Sequence, residues 1–147
     1  MEDKYLSIMK FNKLMHDVFR IIKKRINETN QEDLKITPEQ IGLLYAISIE
    51  SEDVIQKDMA ELMGKDKSAI LRLIDTLEEK ELIRRVVDKN DRRKNYLMIT
   101  KQGDKVLKDY LAIVYKLMDE LQTGISESDL IIYNKVLKRV MHNAENL

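Results

Sequence analysis

The chain of 147 residues lacks several of the residues on which common protein classes depend. It has no cysteine, which excludes a disulfide framework, a thiol nucleophile and a thiol switch. Its four glycines stand far apart in the sequence, so no glycine-rich loop that cradles a phosphate can be built from them. Its two histidines, His16 and His142, belong to no cluster with the spacing of a metal site. We therefore expect no metal ion and no other cofactor.

Long apolar runs are also missing. No run approaches the roughly 18 residues that cross a membrane, and the first residues, Met-Glu-Asp-Lys, do not have the basic and then apolar pattern of a signal peptide. No serine lies in a nucleophile-elbow pattern, and the carboxylate pair Glu78-Glu79 falls on a face that should be exposed. These absences predict a cytoplasmic protein that is not an enzyme and does not bind a membrane.

The charges balance in number but not in position. There are 26 Lys and Arg and 26 Asp and Glu, a net charge of zero, which at first counts against a nucleic-acid partner. Between residues 84 and 94, however, six Lys or Arg stand against two Asp, an excess of four in eleven residues. A neutral chain with one basic segment suits a protein that binds DNA at one place.

The first third of the chain predicts two helices, in keeping with a composition rich in Lys, Glu, Leu and Ile. Residues 3–27 carry a wide apolar stripe with heptad-like spacing, which indicates burial against more than one partner. The second helix begins at Thr37-Pro38-Glu39-Gln40 and runs to about Ile49. Thr37 suits the N-cap, Pro38 the first helical position and Gln40 the capping box.

The middle of the chain has the pattern of a helix-turn-helix. A short helix is predicted over residues 57–63, Gly64 suits the left-handed position after it, and Asp66 suits the N-cap of the next helix. That next helix, residues 67–80, has a single apolar stripe formed by Ile70, Leu73, Ile74 and Leu77. Two helices joined by a few residues that include glycine form a helix-turn-helix.

A hairpin follows directly. Ile83 to Val87 and Asn95 to Ile99 are short runs typical of strands, and the charged segment between them predicts a basic tip. Val54-Ile55 is a candidate for a third strand beside them. A helix followed by a basic hairpin is the layout of a winged helix-turn-helix, in which the helix enters the DNA major groove.

The last third predicts two long apolar helices. Thr100 suits the cap of a helix to about Leu121 with two apolar stripes, Gly124 interrupts it, and Ser126 suits the cap of the final helix. Apolar helices on both sides of the DNA-reading unit indicate a homodimer, since two-fold symmetry presents two reading helices to a two-fold site. We expect a mainly α single domain, residues 1–147, with dimerisation helices at about 3–27 and 104–146 and a winged helix-turn-helix at about 37–100.

The sequence resembles the MarR family of winged-helix regulators. The likeness lies in Leu77-Glu-Glu-Lys-Glu-Leu-Ile-Arg-Arg85, in Asp91-Arg92-Arg93 and in Leu97-Met-Ile-Thr-Lys-Gln-Gly103, and it extends over nearly the whole chain. It implies a dimeric, sequence-specific transcriptional regulator. In this family, the usual activity is repression at a palindromic operator, relieved by a small ligand or an oxidant.

Three positions depart from the family pattern. Glu81 stands where a glycine is common, and because a left-handed Glu costs on the order of 1–2 kcal/mol, we expect this helix end to be built differently. Ala69 and Leu71 stand where threonines are frequent. Their side chains offer only apolar contacts, for example to thymine methyl groups, so the operator should differ from those of relatives.

The candidate DNA-binding residues lie on the second helix of the helix-turn-helix and on the hairpin. Arg72 is the first choice for a base contact, because its guanidinium can bond guanine O6 and N7 together. The alternative for Arg72 is an ion pair with Asp75 or Asp91. The complete set is Lys65, Lys67, Ser68, Ala69, Leu71, Arg72, Arg84, Lys89, Asp91, Arg92, Arg93 and Lys94.

Within the hairpin, Arg92 and Lys89 are assigned to the tip, where a cation suits the negative potential of a narrow minor groove. Arg93 is assigned to a pair with Asp91 or with a phosphate. The spacing leaves open which arginine enters the groove. The alternative is that these cations form only a solvated basic turn. The position of the hairpin directly after a helix-turn-helix makes that alternative the weaker one.

The resemblance also implies a site for a small aromatic or amphipathic effector between the dimer helices and the DNA-binding lobe. The candidates are His16, Phe19, Arg20, Tyr45 and Tyr110, although single residues of these types are more often core or surface residues. A different function remains open, namely a winged helix that binds a protein, or binds DNA without reading its sequence. Ala69 and Leu71 favour that alternative, and the six cations between residues 84 and 94 oppose it.

Overall fold

The computed structural model describes residues 2–29, 31–49, 54–55, 58–87 and 95–147. The chain is mainly α-helical with a small antiparallel sheet, so the predicted fold class is confirmed. In chain order, the elements are α1 Glu2–Glu28, a 3₁₀ turn Glu32–Leu34, α2 Pro38–Ile49, β1 Val54–Ile55, α3 Met59–Leu62, α4 Lys67–Glu79, β2 Ile83–Val87, β3 Asn95–Ile99, α5 Lys101–Leu121 and α6 Glu127–Glu145.

The sheet has three antiparallel strands in the order β1-β3-β2. Ile83 pairs with Ile99 and Val87 pairs with Asn95, so both predicted hairpin strands are confirmed with the bounds expected. Val54 pairs with Leu97, which confirms the third strand. The segment that joins β2 to β3, residues 88–94, lies outside the described residues.

The chain divides into two compact units, Met1–Val114 and Tyr115–Leu147. The core of the first unit lies where the C-terminal end of α1, α2, α4, the sheet and the first half of α5 meet. Its buried apolar side chains include Ile22, Ile26, Leu34, Leu43, Leu44, Ile70, Ile74, Leu77, Leu82, Ile83, Leu97, Val106, Leu107 and Tyr110. The second unit contains the end of α5 and all of α6. None of the α6 side chains, which the structure describes throughout, is buried.

Short-range hydrogen bonds fix the helix starts as the sequence predicts. The Gln40 N–H donates to Thr37 Oγ1 at 3.2 Å and the Thr37 N–H donates to Gln40 Oε1 at 3.0 Å, which is a complete capping box. Ser126 Oγ accepts from the Asp129 N–H at 3.1 Å at the start of α6. The predicted caps of α2 and α6 are therefore confirmed.

The helix-turn-helix forms with one shortened element. The first helix, predicted over 57–63, covers only Met59–Leu62, and Lys57 lies outside the described residues. Gly64 follows it with a φ of +59°, the left-handed conformation expected there.

Within the described part of the chain, no helix has both the length and the apolar character that crossing a bilayer requires.

The C-terminal end of α4 corrects the expectation for Glu81. This residue adopts a φ of +58°, so the left-handed position is kept although the residue is not glycine. The Glu81 N–H donates to Glu78 O and the Leu82 N–H donates to Leu77 O, both at 2.9 Å, which is the Schellman pattern. The prediction of a different helix end is wrong, because these bonds and the burial of Leu82 hold Glu81 in a strained conformation.

Candidate nucleic-acid interface and the adjacent cavity

The start of α4 is held by a capped and charged first turn. Asp66 Oδ1 accepts from Ser68 Oγ at 2.6 Å and from the Ala69 N–H at 2.9 Å. The hydrogen bonds from Ser68 and from the Ala69 N–H keep the pKa of the Asp66 carboxyl below its ordinary value. The predicted N-cap is confirmed, and it fixes the direction in which the first turn leaves the preceding loop.

The outward face of α4 presents hydroxyl and cationic groups. Lys67, Ser68 and Arg72 are exposed, whereas Ala69 and Leu71 are half-buried at the sides of the helix. Arg72 Nη2 donates to Ser68 Oγ at 3.4 Å, a long bond that places the guanidinium over the first turn. The structure therefore leaves the Arg72 guanidinium at the surface, as a base-reading role requires.

Arg85 ties the wing to α4. Its guanidinium donates to Glu78 Oε2 through Nη1 and to Asp75 Oδ1 through Nη2, and its backbone N–H donates to Glu78 Oε1 at 3.0 Å. Asp75, which the sequence offered as a partner for Arg72, is thus paired with Arg85. Arg85 is half-buried, and the pairs keep its charge directed at α4 instead of at solvent.

The role of Arg85 was missed at the sequence level, where Arg85 counted only as one of six cations. Asp75 and Glu78 lie three residues apart and so share one side of α4, which was the available signal for a basic partner. The neighbouring Arg84 is exposed, and alternation along β2 directs it to the other face of the sheet. Arg84 stays a candidate for DNA contact, whereas Arg85 holds α4 to β2 through Glu78 and Asp75.

A second polar cluster joins the end of α4 to the start of α5. Thr100 Oγ1 donates to Glu81 O at 2.7 Å and accepts from the Gly103 N–H at 3.0 Å, so the predicted cap of α5 is confirmed. The Thr100 N–H donates to Leu82 O at 3.0 Å. A Cβ placed on Gly103 would lie 2.0 Å from Leu82 O, so only glycine fits at this crossing.

The candidate DNA-binding residues fall into three groups. Five of them, on α4, just before it or on β2, are exposed and described: Lys65, Lys67, Ser68, Arg72 and Arg84. Two more, Ala69 and Leu71, are half-buried on α4. The wing-tip candidates lie outside the described residues: Lys89, Asp91, Arg92, Arg93 and Lys94. The assignments at the wing tip therefore stay predictions from the sequence.

A cavity of about 410 Å³ lies beside the helix-turn-helix. It is lined by Phe19, Ile22, Lys23, Ile26, Asn27, Leu34, Lys35, Ile36, Thr37, Pro38 and Tyr110. The walls are mostly apolar, with Lys23 and Lys35 as the two cationic residues of the lining. Burial raises the pKa of the Tyr110 hydroxyl above its ordinary value.

The structure brings together two of the five effector candidates. Phe19 and Tyr110 both line the cavity, although one lies on α1 and the other on α5. His16, Arg20 and Tyr45 do not line it and are exposed, and Arg20 pairs with Asp17 at 3.3 Å. The sequence did not predict the contribution of the 3₁₀ turn and the residues after it, since nothing in their pattern indicates a cavity wall.

The described elements define the class of the protein. A short helix, a turn with a left-handed glycine, a capped second helix and an antiparallel hairpin, in this order, form a winged helix-turn-helix. Residues 34–94, which run from the 3₁₀ turn through α4 into the hairpin, match a sequence model of the MarR family. This segment is therefore similar to the MarR family, and the resemblance seen in the sequence is confirmed.

Solved structures have the same fold over nearly the whole chain. The Staphylococcus aureus MepR–DNA complex is 22% identical, covers 95% of this chain and 96% of its own, and has a TM-score of 0.76. A MarR-family transcriptional regulator from Rhodococcus sp. RHA1 is also 22% identical, with coverages of 95% and 94% and a TM-score of 0.72. CouR from Rhodococcus jostii RHA1, bound to p-coumaroyl-CoA, is 22% identical, with coverages of 88% and 87% and a TM-score of 0.68.

Proposed function

We propose that the protein is a sequence-specific DNA-binding transcriptional regulator that represses a palindromic operator as a dimer. The observation that carries the proposal is the two-sided character of α4. Its inner residues Ile70, Ile74 and Leu77 are buried in the core, while Lys67, Ser68 and Arg72 are exposed on its outer face. A helix held by its apolar side and presenting donors and cations outward suits the major groove. The likeness to the fold of the MepR–DNA complex supports this reading.

The dimer is proposed from two apolar surfaces, each on its own unit. On α1, Leu6, Ile8 and Phe11 are 46%, 59% and 50% exposed. On α6, large apolar side chains are likewise exposed along most of the helix: Ile131, Ile132, Tyr133, Val136, Val140 and Met141. So many exposed large apolar side chains on two helices are unusual for a monomer and suggest an interface. A second copy that covers it would present two α4 helices to half-sites about 10 bp apart.

Release by a small molecule is proposed from the cavity beside α1, α2 and α5. Its apolar walls suit an aromatic or aliphatic body, and Lys23 suits an acidic group on the same molecule. The fold neighbour CouR, which binds p-coumaroyl-CoA, supports a ligand with an aromatic acyl part. Such an effector releases DNA if it binds one arrangement of the two reading heads better than the other.

The test is binding to the DNA that flanks the protein's own gene, measured by fluorescence anisotropy with nonspecific competitor present. Arg72→Ala should weaken operator binding by about 10- to 100-fold and relax the sequence preference, since one bidentate base contact is worth about 1–3 kcal/mol. Arg92→Ala should weaken binding to all duplexes and reduce the salt dependence. Lys105→Ala, which removes an exposed cation from α5, is the matched control and should change little.

The outcomes separate the candidate functions. If neither Arg72→Ala nor Arg92→Ala alters the affinity, α4 and the wing do not contact DNA. Binding that is retained but insensitive to sequence would instead favour a nonspecific DNA-binding module. Absence of any DNA binding by the unaltered chain would favour a winged helix that binds another protein, for which the half-buried Ala69 and Leu71 supply apolar contacts.

A further inference from the structure

Lys80, at the C-cap of α4, reaches a distant part of the chain. Its Nζ donates a hydrogen bond to the backbone carbonyl of Lys35 at 3.1 Å, across 45 residues of sequence. The side chain of Lys35 is occupied elsewhere, since its Nζ pairs with Glu32 Oε1 at 2.7 Å. The bond from Lys80 is therefore made to the backbone of the segment that follows the 3₁₀ turn.

That same backbone segment is a wall of the cavity. Residues 34–38 all line the cavity, and Leu34 and Ile36 turn their side chains inward and are buried. The segment is held at its start by the 3₁₀ turn, where the Lys35 N–H donates to Glu32 O at 2.9 Å, and at its end by the capping box of α2. One short stretch of chain thus contacts the cavity on one side and α4 on the other.

The Lys80 contact lies on the side of α4 that faces away from Arg85. At 3.6 residues per turn, residue 80 is about 170° around the helix axis from the midpoint of residues 75 and 78. Arg85 holds Asp75 and Glu78 to β2 on one side, and Lys80 holds the Lys35 carbonyl on the other. If the contact with Lys80 moves or breaks while Arg85 still holds the opposite side, the tilt of α4 changes.

We infer that Lys80 is a positioning residue that couples the cavity wall to the reading helix. The inference rests on the proposed function, because it names the route by which a molecule in the cavity alters DNA binding. A molecule that displaces residues 34–38 moves the Lys35 carbonyl, and the directional bond from Lys80 either carries α4 with it or breaks. In both cases, α4 no longer holds the tilt at which Lys67, Ser68 and Arg72 meet the groove.

The absence of cysteine from the chain allows the cavity to be filled covalently. Phe19 lines the cavity and is 44% exposed, so a cysteine placed there by Phe19→Cys is accessible to a reagent. Benzyl methanethiosulfonate attaches a benzyl group to this cysteine through a disulfide, and dithiothreitol removes it. Operator affinity is measured before labelling, after labelling and after reduction, and mass spectrometry confirms each state. The unlabelled Phe19→Cys protein is the reference.

Labelling should weaken operator binding by at least about 5-fold, the lower end of allosteric coupling, and reduction should restore it. In the Lys80→Met background, the same label should weaken operator binding by less than about 2-fold. In the Lys80→Arg background, the loss of operator binding on labelling should return, because arginine can donate to the same carbonyl. Lys105→Met is the matched control for loss of a surface lysine and should leave the labelling effect intact. A label at Ile49→Cys, an exposed position that does not line the cavity, should have no effect.

A second readout needs no DNA. The backbone amide NMR shifts of α4 should change on labelling when Lys80 is present and should not change in Lys80→Met. An equal effect of the label with and without Lys80, in either measurement, overturns the inference, as does a label that leaves both affinity and α4 shifts unaltered. If the shifts depend on Lys80 while no operator is bound, the coupling stands and the proposed function fails.

Discussion

Helices α4 and α6 have similar apolar patterns in the sequence and opposite surroundings in the structure. In α4, Ile70, Ile74 and Leu77 are no more than 1% exposed, because α2, α3 and the sheet of the same chain cover them. In α6, Val136 and Val140 are each 57% exposed, although they continue an equally regular stripe. Apolar spacing therefore predicts that a face will be covered, but not whether the chain itself covers it.

The two helices differ as much in their polar contacts. Helix α4 is held at its start by Asp66, at its end by the Schellman bonds, and at its sides by Arg85 and Lys80. Helix α6 is capped by Ser126, and the side-chain hydrogen bonds described for this helix are local in sequence. The chain thus fixes the position of α4, the proposed DNA-reading helix, and leaves the surface of α6 available to a partner.

The largest expected effect comes from placing a charge on the apolar stripe of α6. Val136→Glu should raise the dissociation constant of the dimer by at least about 100-fold, because an unpaired carboxylate in an apolar interface costs several kcal/mol. Operator binding should fall with it, while the helix content by circular dichroism stays unchanged. Analytical ultracentrifugation measures the dimer. Lys138→Glu, on the opposite side of the same helix, is the control, and sedimentation of Val136→Glu as a dimer would refute the interface.

The next effect is expected in the first unit, at the crossing of α5 with the loop after α4. Gly103→Ala should lower the free energy of unfolding by about 1–3 kcal/mol, because its Cβ would overlap Leu82 O and force the backbone apart. Gly42→Ala is a matched control inside α2, where a Cβ would lie 3.7 Å from the nearest atom, Met63 Cε. It should be neutral or stabilise by about 0.5–1 kcal/mol. Urea denaturation followed by circular dichroism compares the two, and equal stabilities would contradict the close contact.

These contrasts show which parts of the molecule the sequence could predict. The caps at Thr37, Asp66 and Ser126, and the strands on either side of the wing tip, were correct because each depends on residues within a few positions of one another. The role of Arg85 could not be predicted in this way, because its partners on α4 become its neighbours only after β2 folds back. Its role depends on tertiary structure, and a count of charges along the chain could not distinguish it from Arg84.

The cavity was predictable only in part for the same reason. Phe19 and Tyr110, which the sequence placed in one group, both line the cavity. Their role in binding an effector stays a prediction. His16, Arg20 and Tyr45 were grouped with them on residue type alone, and the helix rotation that exposes them is set by which side of each helix the core covers. The wall formed by residues 34–38 has no periodicity, so only the folded chain reveals it.

A smaller and opposite effect is expected at the strained end of α4. Glu81→Gly should raise the free energy of unfolding by about 0.5–1 kcal/mol, because relief of about 1–2 kcal/mol of left-handed strain exceeds the added freedom of glycine in the unfolded chain. Glu79→Gly, two residues earlier and still helical, should instead lower the stability by about 1 kcal/mol. If urea denaturation gives changes in unfolding free energy of opposite sign for the two variants, the left-handed position, and not the loss of a carboxylate, decides the change in stability.

The smallest effect is a dependence on pH at the start of α4. Because hydrogen bonds from Ser68 and the Ala69 N–H lower the pKa of the Asp66 carboxyl in the folded protein, its stabilising contribution is complete above the ordinary value of about 3.9. The contribution is lost as the pH falls through the lower folded pKa. Asp66→Asn keeps an oxygen that caps the helix but removes the titration. The difference in unfolding free energy between the unaltered protein and Asp66→Asn should therefore be constant near neutral pH and should shrink in acid. A difference that grows in acid would show that the folded structure does not favour the charged carboxylate.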